Sequence, residues 1–555
     1  MLRIEHWLAG WRPYALLGAL CLCLYLPGIA AIPVLDRDEA RFAQATRQML
    51  ETGDFLNIRF QNEARNRKPA GIYWLQAAAV GAFSTAGSTA IWPYRLPSLI
   101  GATLAVLLCF GLGRSLLGAL PGDPSRTAMI AAVLLAISLG TMAEAHIAKT
   151  DAALLAAVVA GQGALGLAYT RGRTGIPVGI GVAALFWLAE IAAILLKGPV
   201  GPGLAIATAA TLSLADRDAR WLRSLRPVAG IAATVIAIAP WLIAIESATE
   251  GRFLTDSVGR DLWSKLISGQ EAHGAPPFYY LVLSLVAFWP GSLFLAPALI
   301  RGWRRHEQPA MRFLLAWVVP AWVFFELVPT KLPHYVLPLY PALALLAASA
   351  LAGGPRTVER PWVYRVESAV KILWVVVTLA LAAALIVVPS RFGLGVSAAG
   401  MVSAVLLVGL MALLLYRKPA PTEATGLLAL LAVALAVPAG HWVMPDLDRL
   451  WLSRDAAAMI AQHPPAAGLP LIVVGYNEPS LVFMLGTKLQ VIPSGAATAL
   501  AGGGEALVSG REEAIFQQGL AARGLAAQAV DSVRGTDYSN GQRMVLTLYR
   551  VEPKQ

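Results

Sequence analysis

Charged residues are scarce in this sequence of 555 residues. Only 14% of them are Asp, Glu, Lys or Arg, whereas soluble globular proteins carry about 25%, so an ordinary soluble enzyme is excluded. The 57% of hydrophobic residues likewise exclude a disordered chain. The three cysteines, Cys21, Cys23 and Cys109, lie inside apolar runs, and we interpret them as packing residues rather than a disulfide or metal set. A secreted module held together by disulfides is therefore excluded as well.

Motifs typical of nucleotide-driven or zinc-dependent chemistry are also missing. The chain has no Walker loop, no CxxC pair and no HExxH motif. Its net charge of +11 is better explained by membrane orientation and anionic headgroups, because Lys and Arg gather in the cytoplasmic loops of membrane proteins. We therefore expect no nucleic acid among the partners.

Long apolar runs dominate the sequence. A helix needs about 20 mainly apolar residues to span a bilayer. The mean hydropathy of +0.63, with 16 Trp, 36 Pro and 50 Gly, is typical of a multi-span membrane protein. The candidate segments are residues 12–31, 71–87, 94–113, 127–147, 152–170, 176–195, 198–215, 228–246, 277–300, 313–329, 335–352, 370–389, 394–416 and 424–444.

Residues 71–87 decide the orientation of all later segments. This stretch is short and contains three Gly, so it is either a span or a re-entrant or interfacial helix. If it does not cross and the N-terminus is cytoplasmic, the Arg-rich loops lie on the cytoplasmic side, as the positive-inside rule requires. We therefore predict an all-α polytopic membrane protein with about 13 transmembrane helices. No small-residue cleavage site precedes Pro33, so the first stretch is interpreted as a retained helix rather than a signal peptide.

The sequence becomes polar after residue 445. Short apolar runs, LPLIVVGY and RMVLTLYRV, alternate with a helix-like stretch, REEAIFQQGLAAR. About 110 residues are enough for one small domain. We predict a soluble α/β domain over residues 446–555, on the face opposite the cytoplasm, and no catalytic motif is visible in it.

The first candidate site lies in the outward loop at residues 32–70. The stretch DEARFAQATRQML has amphipathic helical spacing, which brings Asp38 and Arg41 to one side because residues three apart are neighbours on a helix. A solvated interfacial helix with internal ion pairs is the alternative interpretation. The cations Arg65, Arg67 and Lys68, just before the 71–87 segment, favour a phosphate site at the headgroup level.

Three further outward turns carry cations. Lys149 and Asp151 interrupt two apolar helices in AHIAKTDAALL, where an ionisable residue is a functional candidate by default, although a structural ion pair is the alternative. Lys197 ends a helix in LLKGPVGPG, and a lysine snorkelling to the interface is the alternative there. The third turn, VPTKLPHYVLPLYP, presents Lys331, His334 and Tyr335.

Cations and carboxylates on one face suit transfer from a lipid phosphate. The cations would neutralise a departing phosphate, and a carboxylate would orient or deprotonate an incoming hydroxyl. A secondary transporter is the alternative from another class, because charges in broken helices also form ion sites. A non-catalytic envelope scaffold is a third interpretation, but it leaves the charged loop without a purpose.

Several of these stretches together resemble a known family. DEARFAQATRQMLETGDF, NRKPAGIYWLQ, WPYRLPSLIG, AHIAKTDAALL, LLKGPVG and KLPHYVLPLYPALALL are similar to the membrane glycosyltransferases of the dolichyl-phosphate-mannose protein mannosyltransferase superfamily. Within it, the chain is most similar to the bacterial branch that contains the lipid A 4-amino-4-deoxy-L-arabinose transferase. The resemblance covers roughly residues 10–350 in order, and the C-terminal tail is also similar to that branch.

The resemblance implies a GT-C fold and an inverting, single-displacement transfer from a polyprenyl-phosphate sugar donor to lipid A or another envelope acceptor. Together with the apolar segments and the charged loops, it predicts a transmembrane glycosyltransferase domain over residues 1–445, with its catalytic periplasmic loop at 32–93, in the bacterial inner membrane. Asp38 and Asp151 are the carboxylates that it implies as catalytic. The residues expected to bind the donor are Arg41, Lys68, Arg65, Lys149, Lys197, Lys331, His334 and Tyr335.

One departure from the family pattern concerns a metal. Several relatives have Glu before the lysine of the KP pair, where this chain has Arg67, so a metal ligand is missing. His273 in EAHGAPPFYY would have been the partner of that Glu. We therefore expect no cofactor and no bound metal.

Overall fold

The structure is a computed structural model of the chain, and it describes residues 8–120, 122–262, 276–352, 360–466, 468–492, 500 and 503–554. Most of these residues are helical. The α-helices are Arg12–Tyr25, Asp38–Thr52, Gly71–Phe83, Trp92–Leu116, Pro124–Ala136, Leu139–Ala145, Asp151–Thr174, Ile180–Lys197, Val200–Asp216, Pro227–Ala248, Arg252–Leu254, Tyr279–Ala287, Leu295–Arg304, Pro309–Leu327, Tyr340–Ala352, Pro361–Phe392, Ala398–Arg417, Pro421–Pro438, Leu452–Gln462, Pro479–Leu485 and Glu513–Ala521.

The described residues contain nine helices long and apolar enough to cross a membrane. A tenth span would be the pair Pro124–Ala136 and Leu139–Ala145, which is bent by 60°. These findings confirm a helical multi-span membrane protein, while the count of 13 stays a prediction. The nine helices are Trp92–Ala119, Asp151–Thr174, Ile180–Lys197, Pro227–Ala248, Pro309–Leu327, Pro333–Ala352, Pro361–Phe392, Ala398–Arg417 and Pro421–Val443.

Two of the predicted segments differ from simple spans. Residues 277–300 are divided into the helices Tyr279–Ala287 and Leu295–Arg304, with the 3-10 turn Gly291–Phe294 between them. Within residues 71–87, the helix Gly71–Phe83 has only 13 residues, or about 20 Å at 1.5 Å per residue. That length is short for a hydrocarbon core of about 30 Å, as expected for a re-entrant or interfacial helix.

The loop at residues 32–70 folds into a helix and a small hairpin. The helix Asp38–Thr52 starts with two acidic residues, Asp38 and Glu39, which interact favourably with the positive end of the helix dipole. It ends at Gly53, whose φ of 70° is the left-handed conformation common after helices. The strands β1 (Arg59–Phe60) and β2 (Glu63–Ala64) then pair antiparallel.

The helix Asp151–Thr174 lies at the centre of the bundle, and its side chains are buried from Asp151 to Tyr169. Its first turn packs closely against the helix Trp92–Leu116. A Cβ atom at Gly101 would lie 2.7 Å from the carbonyl oxygen of Ala152 and 2.6 Å from the Cα of Ala153, so only glycine permits this approach. The close contact fixes the position of Asp151.

The C-terminal region, residues 452–553, contains a five-stranded sheet. Strands β3 (Leu471–Val474), β4 (Gln490–Ile492) and β5 (Gly504–Ser509) are parallel, whereas β7 (Gln542–Pro553) runs antiparallel to β5 and to β6 (Leu525–Asp537). Their order in the sheet is β4-β3-β5-β7-β6. Successive residues along β3 point to opposite faces. Val473 belongs to the hydrophobic cluster on one face, and Ile472 and Val474 belong to that on the other. We call this unit the C-terminal α/β region.

Candidate functional site

Asp151 is the centre of a buried charge cluster formed by three separate turns. It is the first residue of its helix, and its carboxylate forms an ion pair with Lys197 from the end of the helix Ile180–Lys197. Lys149 Nζ lies 3.6 Å from one carboxylate oxygen of Asp151, and His334 Nε2 lies 3.9 Å from the other. The side chain of Asp151 is 6% exposed. The structure therefore brings together four residues that the sequence placed in three distant turns.

Lys149 links this cluster to a second carboxylate. Its Nζ lies 2.9 Å from Glu144 Oε1 and donates to His334 Nδ1 at 3.3 Å. Burial alone would lower the pKa of Lys149, but Asp151 and Glu144 outweigh burial and raise it above its ordinary value. Lys149 therefore carries its positive charge throughout the neutral range.

Asp38 lies close enough to this cluster to act on it electrostatically. Its carboxylate contributes to the raised pKa of Lys149, although Asp38 itself is exposed at the start of its helix. Lys68 is within electrostatic range of His334 in the same way. The outward loop and the Asp151 cluster therefore lie within electrostatic range of each other.

The cations of the outward loop are held by aromatic residues. Arg65 Nε donates to the hydroxyl of Tyr73 at 3.0 Å, and its guanidinium lies 5.0 Å from the centroid of the Phe42 ring. Burial and the neighbouring charge of Arg65 lower the pKa of Arg41, while Asp38 raises it. Arg41, Arg65 and Asp38 are therefore neighbours, as the spacing predicted for Arg41 and Asp38.

Of the turn that carries Lys331, His334 and Tyr335, two residues join the Asp151 cluster and one points elsewhere. The ring of Tyr335 packs edge-on against His334, and Lys197 Nζ lies 5.8 Å from its centroid, so Tyr335 joins the cluster. Lys331 Nζ lies 3.8 Å from Glu326, at the end of the helix Pro309–Leu327. Among the described residues, the ion pair that Lys331 forms is with Glu326 and not with Asp151.

Sequence reasoning missed Glu144 as part of the site. This residue is buried and comes five positions before Lys149. A carboxylate near the end of an apolar helix is itself a signal of function, and it could have been read from AEAHIAKTD.

Sequence reasoning also missed the buried pair of Glu39 and Arg95. Arg95 donates to both carboxylate oxygens of Glu39 and to the carbonyl oxygens of Ile29, Ile32 and Pro33. The carboxylate of Glu39 also accepts from the backbone N–H of Ala148 at 2.7 Å. This network connects the outward loop to the turn that carries Lys149.

The C-terminal α/β region packs against the outward helix Asp38–Thr52. Arg47 Nη1 donates to the carbonyl oxygen of Phe483 at 2.7 Å, and Gln44 Nε2 donates to Thr487 Oγ1 at 2.8 Å. The ring of Phe483 packs edge-on against Tyr94. The helix that begins with Asp38 is therefore enclosed between the bundle and the C-terminal α/β region.

The described residues offer no obvious metal site. Among them, no group of three or more His, Cys, Asp or Glu side chains is arranged to hold a metal ion. The cationic Arg67 is not a metal ligand, and His273 lies outside the described residues.

The arrangement is suited to an anionic phosphate. Three nitrogen-bearing side chains, Lys149, Lys197 and His334, surround Asp151 in a largely buried place, with Lys68 and Arg41 nearby. Hydrogen bonds between ionised groups are shorter and stronger than neutral ones. Because such cations are already in position, a phosphate would meet them with little reorganisation.

Two curated proteins to which the chain is similar carry the same name. The chain is 28% identical over 348 residues to the undecaprenyl phosphate-alpha-4-amino-4-deoxy-L-arabinose arabinosyl transferase of Edwardsiella ictaluri (strain 93-146), a match that covers 61% of this chain and 59% of the relative. The protein of the same name from Serratia proteamaculans (strain 568) is 26% identical over 337 residues, which cover 60% of this chain and 58% of the relative. The chain thus matches less than two thirds of the length of these relatives. No family model matches it.

Solved structures show the same fold over nearly the whole chain. ArnT from Cupriavidus metallidurans bound to undecaprenyl phosphate superposes with a TM-score of 0.73 at 20% identity, covering 97% of this chain and 98% of that one. The oligosaccharyltransferase of Archaeoglobus fulgidus gives a TM-score of 0.52 at 14% identity, with 88% and 65% covered. The mycobacterial arabinofuranosyltransferase AftD gives 0.52 at 15% identity, with 98% and 40% covered. These likenesses confirm the GT-C fold that the family resemblance implied.

Proposed function

We propose that this chain is an inverting glycosyltransferase that moves a sugar from a polyprenyl-phosphate donor to lipid A or another acceptor of the bacterial envelope. The observation that carries the proposal is the gathering of Lys149, Lys197 and His334 around Asp151, with Asp38 within electrostatic range. The names of the relatives support this choice, because they specify an undecaprenyl-phosphate sugar and an arabinosyl transfer. A transporter is not favoured by these comparisons.

Asp38 is the carboxylate that would act on the acceptor. It is exposed at the start of its helix, so an incoming nucleophile can reach it. As a general base or an orienting acceptor of a hydrogen bond, it would direct the attacking oxygen at the anomeric carbon. In a single displacement, the nucleophile attacks from the side opposite the departing phosphate, which inverts the configuration.

The cations would stabilise the phosphate as it departs. Lys68, Arg41 and Tyr335 are proposed as the groups that meet the phosphate oxygens, with Arg65, Lys149, Lys197 and His334 behind them. Lys331 would be a more distant contact of the donor. Asp151 is already paired with Lys197 and Lys149, so its role would be to hold these cations in position rather than to accept a proton.

The proposed location is the periplasmic face of the bacterial inner membrane, with the N-terminus in the cytoplasm. Asp151 and Arg173 lie at opposite ends of one helix, about 33 Å apart at 1.5 Å per residue. Arginines concentrate near the second end, at Arg171, Arg173, Arg217 and Arg220. The positive-inside rule places that end in the cytoplasm and the charge cluster outside.

The function can be tested by mass spectrometry of lipid A and of total envelope glycans from cells with and without the protein. We expect a mass increase of one sugar on lipid A with the wild-type protein and none with Asp38→Ala. Asp218→Ala is the matched control, because this exposed carboxylate pairs only locally with Arg220 at 3.1 Å and lies near the opposite end of the bundle. Envelope glycans that do not change with the wild-type protein would contradict the proposal.

A further inference from the structure

The residue before Asp38 has an unusual backbone conformation. Arg37 has φ of 64° and ψ of −99°, a combination that glycine adopts freely and that other residues rarely adopt. Asp38 follows directly as the first residue of the helix. The direction in which the Asp38 carboxylate points therefore depends on whatever holds this turn.

Three groups of the C-terminal α/β region hold the turn. The hydroxyl of Tyr538 accepts a hydrogen bond from the backbone N–H of Asp36 at 2.6 Å. The backbone N–H of Ser480 donates to Asp36 Oδ1 at 3.1 Å, and Arg37 Nη2 donates to the carbonyl oxygen of Ser539 at 3.0 Å. More than 440 positions of sequence separate Asp36 from Ser480 and about 500 from Tyr538.

The hydroxyl of Tyr538 is the group of this side chain that contacts the turn. A phenylalanine at position 538 would leave the backbone N–H of Asp36 without this acceptor while keeping the ring in place. The Asp36 carboxylate would still accept from Ser480.

Tyr538 itself is held by the hairpin between β6 and β7. Asp537 accepts from the backbone N–H of Ser539 at 3.0 Å and from the side-chain amide of Asn540 at 2.7 Å. The ring of Tyr538 packs edge-on against Trp451, with 6.0 Å between the centroids. The hairpin is therefore a preformed support and not a loose loop that happens to contact Asp36.

We propose that Tyr538 is a positioning residue for Asp38, through which the C-terminal α/β region maintains the strained turn at Arg37 and so aims the Asp38 carboxylate. The inference rests on the proposed function in one respect, because aiming matters only if Asp38 acts on the acceptor. It assigns a purpose to a part of the chain in which the sequence shows no catalytic motif.

Kinetics of Tyr538→Phe in the full-length purified protein test this role. A lost hydrogen bond is worth up to about 1.4 kcal/mol, or tenfold, so we expect kcat to fall about tenfold with KM unchanged. Tyr549→Phe is the matched control: Tyr549 lies on β7, seven residues along the strand from Gln542 at the hairpin, and the variant loses a hydroxyl contact to Glu513. We expect its kcat to equal that of the wild type.

A double-mutant cycle separates positioning from general destabilisation. Glycine adopts the conformation of residue 37 without strain, so Arg37→Gly reduces the need for the hydroxyl of Tyr538. We expect Tyr538→Phe to cost about tenfold in kcat in the wild-type background and less than about threefold in the Arg37→Gly background. Equal costs in both backgrounds, or an unchanged kcat of Tyr538→Phe, would overturn the proposal.

Amide hydrogen exchange gives a result that does not depend on transfer. We expect residues 35–41 to exchange faster in Tyr538→Phe than in the wild type, and at the wild-type rate in Tyr549→Phe. If the wild type transfers no sugar at all, the proposed function fails, and the exchange rates still decide whether Tyr538 holds the turn. Unchanged exchange in Tyr538→Phe would overturn the proposal in either case.

Discussion

Arg95 donates two hydrogen bonds of 2.8 Å to the carboxylate of Glu39, and neither side chain is exposed to solvent. Glu39 also holds the backbone of Ala148, and Arg95 holds three carbonyl oxygens of residues 29–33. Burying two charges is expensive unless every remaining donor and acceptor is satisfied, and this pair comes close to that condition. The Glu39–Arg95 pair connects the outward loop, which carries Asp38, to the turn that carries Lys149 and Asp151.

Removing one member of this pair should destabilise the protein strongly. Arg95→Ala leaves the Glu39 carboxylate buried without its partner, and breaking such a pair typically costs about 3–5 kcal/mol. We expect a clear fall in the midpoint of thermal unfolding in detergent. Arg260→Ala is the control, because the Arg260 side chain is 80% exposed and exposed pairs contribute about 1 kcal/mol or less. Equal midpoints for the two variants would contradict a role for the buried pair.

Asp151→Asn should strongly impair transfer, although the amide has nearly the same shape as the carboxylate. The amide preserves the volume of the side chain but removes the negative charge that holds Lys197 and Lys149. We expect kcat to fall by about 100-fold, the lower end of the effect of losing one preorganised electrostatic group. Transfer from a lipid-linked sugar by purified protein measures this change.

Asp216→Asn is the matched control for Asp151→Asn. Asp216 is a similarly buried carboxylate, ion-paired with Arg312 and 3.8 Å from Arg173, at the opposite end of the bundle. Both variants should unfold at lower temperature than the wild type, but only Asp151→Asn should lose transfer. Equal losses of transfer would indicate that Asp151 acts through folding alone.

The contact between the outward loop and the C-terminal α/β region should depend on pH through Glu478. Burial, together with the charges of Asp36 and Asp537, raises the pKa of Glu478 from 4.5 to about 7. Arg37, Arg41 and Ser539 also lie near the Glu478 carboxyl group. Burial likewise raises the pKa of Asp36.

A carboxyl group with a raised pKa favours the folded state only while it is protonated. The contribution of Glu478 to stability is therefore complete below about pH 4.5 and is lost as the pH rises to about 7. We expect Glu478→Gln, relative to the wild type, to gain stability between pH 5 and pH 8, measured as the difference in thermal unfolding midpoints. A difference that does not change with pH would contradict the raised pKa.

The sequence was sufficient to predict a helical multi-span membrane protein and most of the residues of the charge cluster. Apolar runs identify spans because lipid excludes unpaired backbone groups, and ionisable residues at the ends of such runs are costly enough to be informative, as at Lys149, Asp151 and Lys197. The α/β fold after residue 445 was visible in alternating runs such as LPLIVVGY.

The contacts between distant segments were not predictable from one sequence. Arg95 lies within an apolar helix and 56 positions from Glu39, and nothing local indicates which carboxylate it meets. The same holds for Tyr538 and Asp36, whose contact depends on how the C-terminal α/β region packs on the loop. The break in the 277–300 segment coincides with Pro290 and Gly291, a helix-breaking pair that was overlooked between two apolar stretches.

Binding of undecaprenyl phosphate to the purified protein tests the central claim most directly, namely that cations from separate outward turns form one phosphate site. We expect Lys68→Ala, which loses a charge-assisted hydrogen bond to the phosphate, and Lys197→Ala, which loses a positive charge behind it, each to raise the Kd by at least about tenfold. Lys371→Ala, on the exposed surface of the helix Pro361–Phe392, should leave the Kd unchanged. A Kd that is the same for the wild type, Lys68→Ala and Lys197→Ala would contradict the assignment.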